Sequence, residues 1–377
     1  MPTHKNTPKA FAGQTFYVGL DVHKKSWSVT VRTAGLEVEH FTQTPDPVQL
    51  ARHLKSKFKG ASFLSAYEAG FSGTSAHTAL CIAGIQNHII HAGDLPVTDK
   101  QKSNKTDLHD SRAIAKYLEA DLLNSIYIMP VEQQERRALF RLRQAIVKDI
   151  RRCTNRIRGM INFFGITLPD ELTDKEYISQ RFIQYLQQLN LTTPQGSDTL
   201  HYYVNELVHQ RQQLLLVTRQ LRTTIKQCYP KPYECLLTVP GIGPITAIGL
   251  LAETGNLGRF DNPNEFASYL GLIPSEQSSG ETIYSKRIQS RCNRHLRPLL
   301  IEAAWTAIKK SPSLLAYYKK HMGRNNKKTI VKVARKLALI AKAVALSQTK
   351  YQEDYDSGKK NSIGAGRGEM GAMKNSE

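Results

Sequence analysis

After a polar lead-in over residues 1–15, the chain begins with short runs of aromatic and β-branched residues whose spacing predicts strands. Phe16 to Val22 (FYVGLDV) reads as a central strand, Trp27 to Arg32 (WSVTVR) as its hairpin partner, and the intervening HKKS as the turn. A third strand around Leu36 to Thr42, a helix, a strand over Phe63 to Tyr67 closed by Glu68, a second helix and a short strand within Ile85 to Ala92 follow. The run TDLHDSRAIAKYL then has helical periodicity, completing an α/β block over 16–130.

From Glu132 the period lengthens. Leu139, Leu142, Ile146, Ile150, Cys153, Ile157, Met160 and Phe164 recur at intervals of three and four, the seam of a long helix. Past Pro169 the pattern is less regular and is broken by TTPQGSD at 192–198. A second long helix carries Leu200, Val204, Leu207, Leu214, Leu221, Ile225 and Cys228 in seven-residue register, interrupted by Arg211 and Thr218. Neither helix can bury its stripe alone, so the two should pack together or across a dimer. Prolines in YPKPY end this coiled-coil-like region, 131–230. A mainly α segment, 231–350, follows. It holds a helix-hairpin-helix pattern over Leu236 to Glu253, a helix started by Asn and Pro within Phe260 to Leu272, and a polar loop over Ile273 to Glu281. The apolar helix Leu299 to Ile308 and the basic amphipathic helix Lys327 to Ala345 close it. The tail, 351–377, has few apolar residues and reads as disordered.

Charge changes this picture from a fold to a class. Lys and Arg total 52 against 32 acids, net +20 over 377 residues, which points to a polyanionic partner and above all to nucleic acid. The basic residues also cluster: Arg143, Arg151, Arg152, Arg156 and Arg158 lie off the apolar seam of the first long helix, where a solvated face would mix signs. Lys100, Lys102 and Lys105 crowd the loop before the TDLHD helix. In the PGIG turn, Gly241 and Gly243 would expose backbone amides to phosphate oxygens at the next helix start. Five cysteines without a CxxC pair suggest neither a disulfide framework nor a thiolate zinc site, in keeping with a reducing cytosol. The absence of an apolar signal core or a membrane-length stretch predicts a soluble cytoplasmic protein with no membrane partner.

Four acids carry candidate chemistry. Asp21 ends the first strand and Glu68 the fourth, while Asp107 and Asp110, three apart, share one face of the last helix. Each alone could be a strand end or a helix cap; together they form a set of hard oxygen donors suited to Mg²⁺ or Mn²⁺. A Ser-Ser-Gly in a polar loop, as at Ser278 and Ser279, is by itself an ordinary turn.

The order of strands and helices over 16–130 resembles the RNase H or RuvC-like nuclease fold. GLDVHK, YEAG and KTDLHDSRAIA, with GLIPSEQSSGE before NRHLRPLLIEAAW, resemble the DEDD insertion-sequence transposases related to the Piv DNA invertase, the bridge-RNA-guided recombinases. The resemblance spans Phe16 to Ala345. The chain departs from the family in the run QSRCNR, which keeps Asn293, Leu296 and Arg297 but lacks a lysine and a glycine the family often has there. Arg297 joins the nucleic-acid candidates on this basis. The resemblance implies metal-binding catalytic acids at Asp21, Glu68, Asp107 and Asp110, and a nucleophilic serine matching Ser279, with Ser278 as the alternative. It also implies donor and target DNA as substrates, a noncoding guide RNA as partner, and homodimers pairing into a tetramer in which the acids of one subunit meet the serine of another. A hydrolytic RuvC-like nuclease or junction resolvase is the rival enzyme, and a non-catalytic nucleic-acid scaffold the rival of another class.

Overall fold

The computed structural model describes residues 10–91, 93, 95, 107–173, 179–279, 282–288, 291–323 and 325–353; for 107–109, 173, 274–279 and 282–288 it describes the backbone alone. The chain divides into two compact units, Met1–Met129 and Pro130–Glu377.

The first unit is a mixed five-stranded sheet flanked by helices. Strands β1 (Thr15–Val22), β2 (Trp27–Thr33), β3 (Leu36–Gln43), β4 (Ser62–Glu68) and β5 (Gln86–Ile90) lie in the order β3-β2-β1-β4-β5. The first three are antiparallel neighbours, whereas β1–β4 and β4–β5 are parallel. The parallel joins require crossovers, which are α1 (Pro47–Lys57) between β3 and β4 and α2 (Ser75–Ile82) between β4 and β5. Asp46 starts α1 by accepting hydrogen bonds from the amides of Val48 and Gln49.

Alternation along β1 assigns its two faces. Phe16, Val18 and Leu20 are buried with Leu50, Leu54 and Leu80 of the crossover helices. Tyr17 packs with Ala66, Ile114 and Leu118 on the opposite face, which is covered by α3 (Asp107–Glu119). Gly19 belongs to this second face and lets the helix approach. A Cβ there would lie 2.1 Å from the Ser111 carbonyl oxygen and 2.5 Å from the Ala115 amide nitrogen. Ser111, fully buried, places its hydroxyl 3.1 Å from that of Ser28 and 2.9 Å from that of Thr30, so its polar group is satisfied under the helix. At the other end of α3, Glu119 accepts from Arg32 Nε at 2.8 Å and from the Gly35 amide at 2.7 Å. Because Arg32 lies opposite Tyr17 near the start of β1, these contacts set α3 antiparallel to β1.

The second unit is mostly helical. Two long helices, α4 (Val131–Phe163) and α6 (Pro194–Cys228), pack along each other, with α5 (Gln180–Gln188) closing a small core of Cys153, Ile157, Ile161, Phe182, Leu200 and Val204. TTPQGSD, which composition reads as a break, is the beginning of α6: Thr193 caps the helix through its hydroxyl and Pro194 occupies the first turn. The seam also differs from the heptad reading. Leu142 and Phe164 are exposed, and Phe140 is buried in their place against Gly249, where a Cβ would sit 2.8 Å from its ring. The interruption at Thr218 has a partner, since Arg143 Nε donates to its hydroxyl at 3.1 Å.

Helices α7 (Pro230–Leu236), α8 (Pro244–Thr254), α9 (Pro263–Tyr269), α10 (Leu296–Lys310), α11 (Pro312–Lys320) and α12 (Asn326–Ser347) form the larger core, joined by Phe140, Val217, Leu221 and Ile225 of the long pair. Helix α12 buries Ile330, Val333, Ala334, Leu337 and Ala341 along one face and keeps its lysines off it. The segment read as a polar loop is instead the first arm of a hairpin, β6 (Pro274–Ser279) with β7 (Thr282–Ile288).

Replacing Gly19 by Val forces α3 off the sheet. We expect Gly19→Val to lower the stability of the first unit by about 1–3 kcal/mol, the usual cost of overpacking, read from the urea midpoint of the full chain. An unshifted midpoint would show that α3 is not seated on β1 at this position.

Candidate active site and nucleic-acid interface

The parallel register of β1 and β4 sets Leu20 opposite Tyr67, so the next residues, Asp21, one short of the end of β1, and Glu68, the last of β4, stand at matched positions on neighbouring strands. Both share the parity of the face toward α3, following Tyr17 and Gly19 on one strand and Leu64 and Ala66 on the other. Since α3 runs antiparallel to β1, its first turn lies at these strand ends, and that turn contains Asp107 and Asp110. Asp110, half-buried, immediately precedes Ser111. The fold therefore directs Asp21, Glu68 and Asp110 toward one end of one sheet face. Asp107 opens the helix there, and its side chain lies outside the described residues.

Asp21 retains 17% side-chain exposure and has His23 Nε2 3.0 Å from its Oδ2. Carboxylates of this kind are hard donors that fit Mg²⁺ or Mn²⁺. Among the described residues no group of three or more His, Cys, Asp and Glu side chains is already drawn close enough to hold a metal ion. Lys100, Lys102 and Lys105 lie outside the described residues.

Ser278 and Ser279 end β6. Ser278 is paired with Ile283 and Ser279 with Thr282, so both stand at the tip of the hairpin; their side chains are outside the described residues. The two arms meet at the base in a polar network that sequence reasoning missed. Glu253, at the end of the apolar helix α8, is fully buried and receives a two-pronged hydrogen bond from Arg141, with Nε at 2.7 Å and Nη2 at 2.8 Å. Asn293 Nδ2 also donates to Glu253, at 2.8 Å, and to the Tyr269 hydroxyl at 2.8 Å, while that hydroxyl donates to the Glu253 carbonyl at 2.7 Å. The amide oxygen of Asn293 accepts from the amides of His295 and Leu296, starting α10. Drawing an ion fully out of water costs several kcal/mol, which explains why Glu253 has several partners. The available signal was an acid closing an otherwise apolar helical run, a position that demands a counter-ion.

Burial and neighbouring charge shift this region's titrations. The hydrogen bonds from Arg141 to Glu253 hold that guanidinium above its ordinary range, whereas burial and the adjacent Arg141 push Arg137 down. Burial raises the Tyr269 phenol and lowers the His295 imidazole, the latter against the pull of Glu253 and with the help of Arg141 and Lys148.

The candidate nucleic-acid residues separate into kinds. Arg151, Arg152 and Arg156 are exposed on α4, and Arg152 forms an i,i+3 ion pair with Asp149 at 3.2 Å. Arg158 is half-buried, and Arg143 differs from the rest in turning toward α6. In the PGIG turn, Gly241 has φ +82° and packs on α10, where a Cβ would lie 2.3 Å from the Ala303 carbonyl oxygen. Gly243 precedes α8 without a side-chain cap. Arg297 Nη1 reaches the Gly271 carbonyl at 3.4 Å, beneath the hairpin.

Two family models match the chain, and both describe transposases. Residues 18–165 match the transposase model named for the DEDD domain of IS110, and residues 233–319 match the model described as "Transposase IS116/IS110/IS902 family". The chain belongs to the IS110/IS116 family of DEDD transposases, which act in DNA recombination or transposition. It is 27% identical to the transposase for insertion sequence element IS1328 of Yersinia enterocolitica, across 67% of this chain and 75% of that one. With the IS1111A transposase of Coxiella burnetii it shares 27% identity over 54% and 55% of the two chains. With the pilin gene-inverting protein of Moraxella bovis it shares 30% over 37% and 42%. No helix among the described residues is long and apolar enough to cross a membrane.

His295 provides a pH signature. Its imidazole titrates below the ordinary 6.5 in the fold, so between that depressed value and 6.5 the unfolded chain binds more protons. Its contribution to stability is complete above 6.5 and is lost as pH falls through the window. We expect the urea midpoint of His295→Gln to rise less than that of the parent as pH is raised toward and through 6.5. Parallel curves would exclude this contribution.

Proposed function

We propose that the chain is a recombinase that cuts and rejoins DNA through a covalent phosphoserine intermediate, with Ser279 as nucleophile and Ser278 as the alternative. The observation that carries the proposal is the placement of Asp21 and Glu68 at matched ends of adjacent parallel strands, beneath the first turn of the helix bearing Asp107 and Asp110. A sheet ordered β3-β2-β1-β4-β5 with this helix across it supports the RuvC-like reading. The short helix pair around PGIG supports a helix-hairpin-helix that holds phosphate by backbone amides.

In this reading the Ser279 hydroxyl attacks a DNA phosphorus. An Oγ–P bond forms, the bond from phosphorus to the leaving deoxyribose oxygen breaks, and the serine proton leaves to a neighbouring carboxylate or water. The freed hydroxyl of another strand then attacks the phosphoserine, restoring a phosphodiester and the serine. Each step exchanges one phosphate ester for another, so no nucleotide is consumed. Asp21, Glu68, Asp107 and Asp110 would hold Mg²⁺ or Mn²⁺, which in the assembled complex would offset charge on the phosphate. Arg151, Arg152, Arg156 and Arg158, with Lys100, Lys102 and Lys105, would bind backbone phosphates of DNA and of a guide RNA, as the family resemblance implies. The same resemblance supports homodimers pairing into a tetramer. The gene-inverting activity named for the Moraxella bovis relative is one form such strand exchange would take.

Cells carrying the complete insertion element on a plasmid provide the test. Asp21→Asn should reduce strand exchange on the order of 10²–10³-fold, the usual loss when transition-state charge goes unbalanced. Chelation of divalent ions should abolish cleavage by the purified complex. Ser279→Ala should abolish both recombination and the protein–DNA adduct, and mass spectrometry of adduct from the parent should place phosphate on Ser279. Cleavage by Ser279→Ala without an adduct would replace this reading with hydrolysis. Undiminished recombination by both Asp21→Asn and Ser279→Ala would leave only a binding scaffold.

A further inference from the structure

The polar network at the hairpin base has a geometry that stability alone does not require. Each arm of β6–β7 is tied to it at the point where that arm leaves the helical core. On the incoming side, Tyr269 is the last residue of α9, and its carbonyl accepts from the Asn293 amide at 2.8 Å. On the outgoing side, Asn293 follows β7 and also starts α10. Between them Gly271, at φ +65°, lets the arms close, since a Cβ there would lie 2.3 Å from that of Cys292. The buried Glu253 carboxylate is held by the planar fork of Arg141 and in turn orients the Asn293 side chain. A hydrophobic set of the same volume could fill such a space, often without loss of stability, but could not fix an amide in one orientation.

We infer that Glu253, Arg141, Asn293 and Tyr269 are positioning residues for strand exchange, a clamp in which the buried carboxylate orients Asn293 and thereby sets the angle at which the hairpin presents its tip. The inference rests on the reading above that the tip serine is the nucleophile, and it concerns how the hairpin is aimed. Glu253 and Asn293 touch no reacting atom; they act through the hairpin.

The test compares the full chain with Asn293→Ala, Glu253→Gln, Tyr269→Phe, Ser278→Ala and Ser279→Ala, each expressed with the complete element on a plasmid. Three quantities are read: recombination product, retention of element-end DNA, and hydrogen–deuterium exchange of amides 274–288 against those of α8 and α10. For the clamp variants we expect exchange to quicken in the hairpin while α8 and α10 keep their protection and DNA retention holds. Recombination should fall on the order of 10²-fold, as a nucleophile displaced by about 1 Å would cause. Tyr269→Phe, which removes one hydroxyl and keeps the ring, decides the question if Asn293→Ala does not fold.

Unchanged exchange in the hairpin, or protection lost equally from α8 and α10, overturns the inference. So does quickened exchange with recombination intact. If Ser279→Ala and Ser278→Ala both recombine normally, the nucleophile reading fails on those variants alone. If Ser279→Ala is inactive while Asn293→Ala and Tyr269→Phe match the parent, only the clamp fails.

Discussion

The contact between α3 and β1 at Gly19 governs the first unit. A helix can lie on a strand this closely only where one residue has no side chain, and Gly19 is two residues from Asp21 on the same face. The approach, locked by the buried hydroxyl of Ser111 against Ser28 and Thr30, carries the start of α3 to the carboxyl ends of β1 and β4. Helix direction is secured by the distant contact of Glu119 with Arg32 and Gly35. Interactions made along the whole helix therefore carry the turn bearing Asp110 toward the carboxyl ends of β1 and β4.

The second unit solves a different problem with similar means. Its long helices, α4 and α6, merge into the core of the shorter ones through Phe140, Val217, Leu221 and Ile225. A heptad pattern anticipates a partner helix of the same kind, whereas Phe140 is drawn to Gly249 of α8, leaving Leu142 outside. Polar residues at this junction are there for pairing: Arg143 meets Thr218, and Arg141 meets the buried Glu253. Arginines that look alike along one helix thus divide between intramolecular contacts and an exposed basic surface.

The family to which the chain belongs has two matching segments, one in the α/β domain extending into α4 and one from Tyr233 to Lys319. The two segments correspond to the two sets of residues whose chemistry is proposed here, the acids and the hairpin serines. Between them lie α5 and the whole of α6, whose first half packs through apolar side chains against α4 and α5.

Local pattern was sufficient for much of this architecture. Alternation identified β1, β2 and β4, proline and asparagine signals located the start of α9, and the helix bearing Asp107 and Asp110 followed from its period. These are properties of neighbouring residues, so they are legible without the fold. Strand order, helix direction and the partners of buried charge involve residues far apart in the chain. The sequence presents Glu253 as the last residue of an apolar helix and Ser279 as part of a polar loop. Tertiary pairing makes one the centre of a network with Arg141 and Asn293, 112 and 40 positions away along the chain, and sets the other at the tip of a strand pair. Composition alone could not anticipate this, because a buried carboxylate is tolerated only where distant donors arrive to meet it.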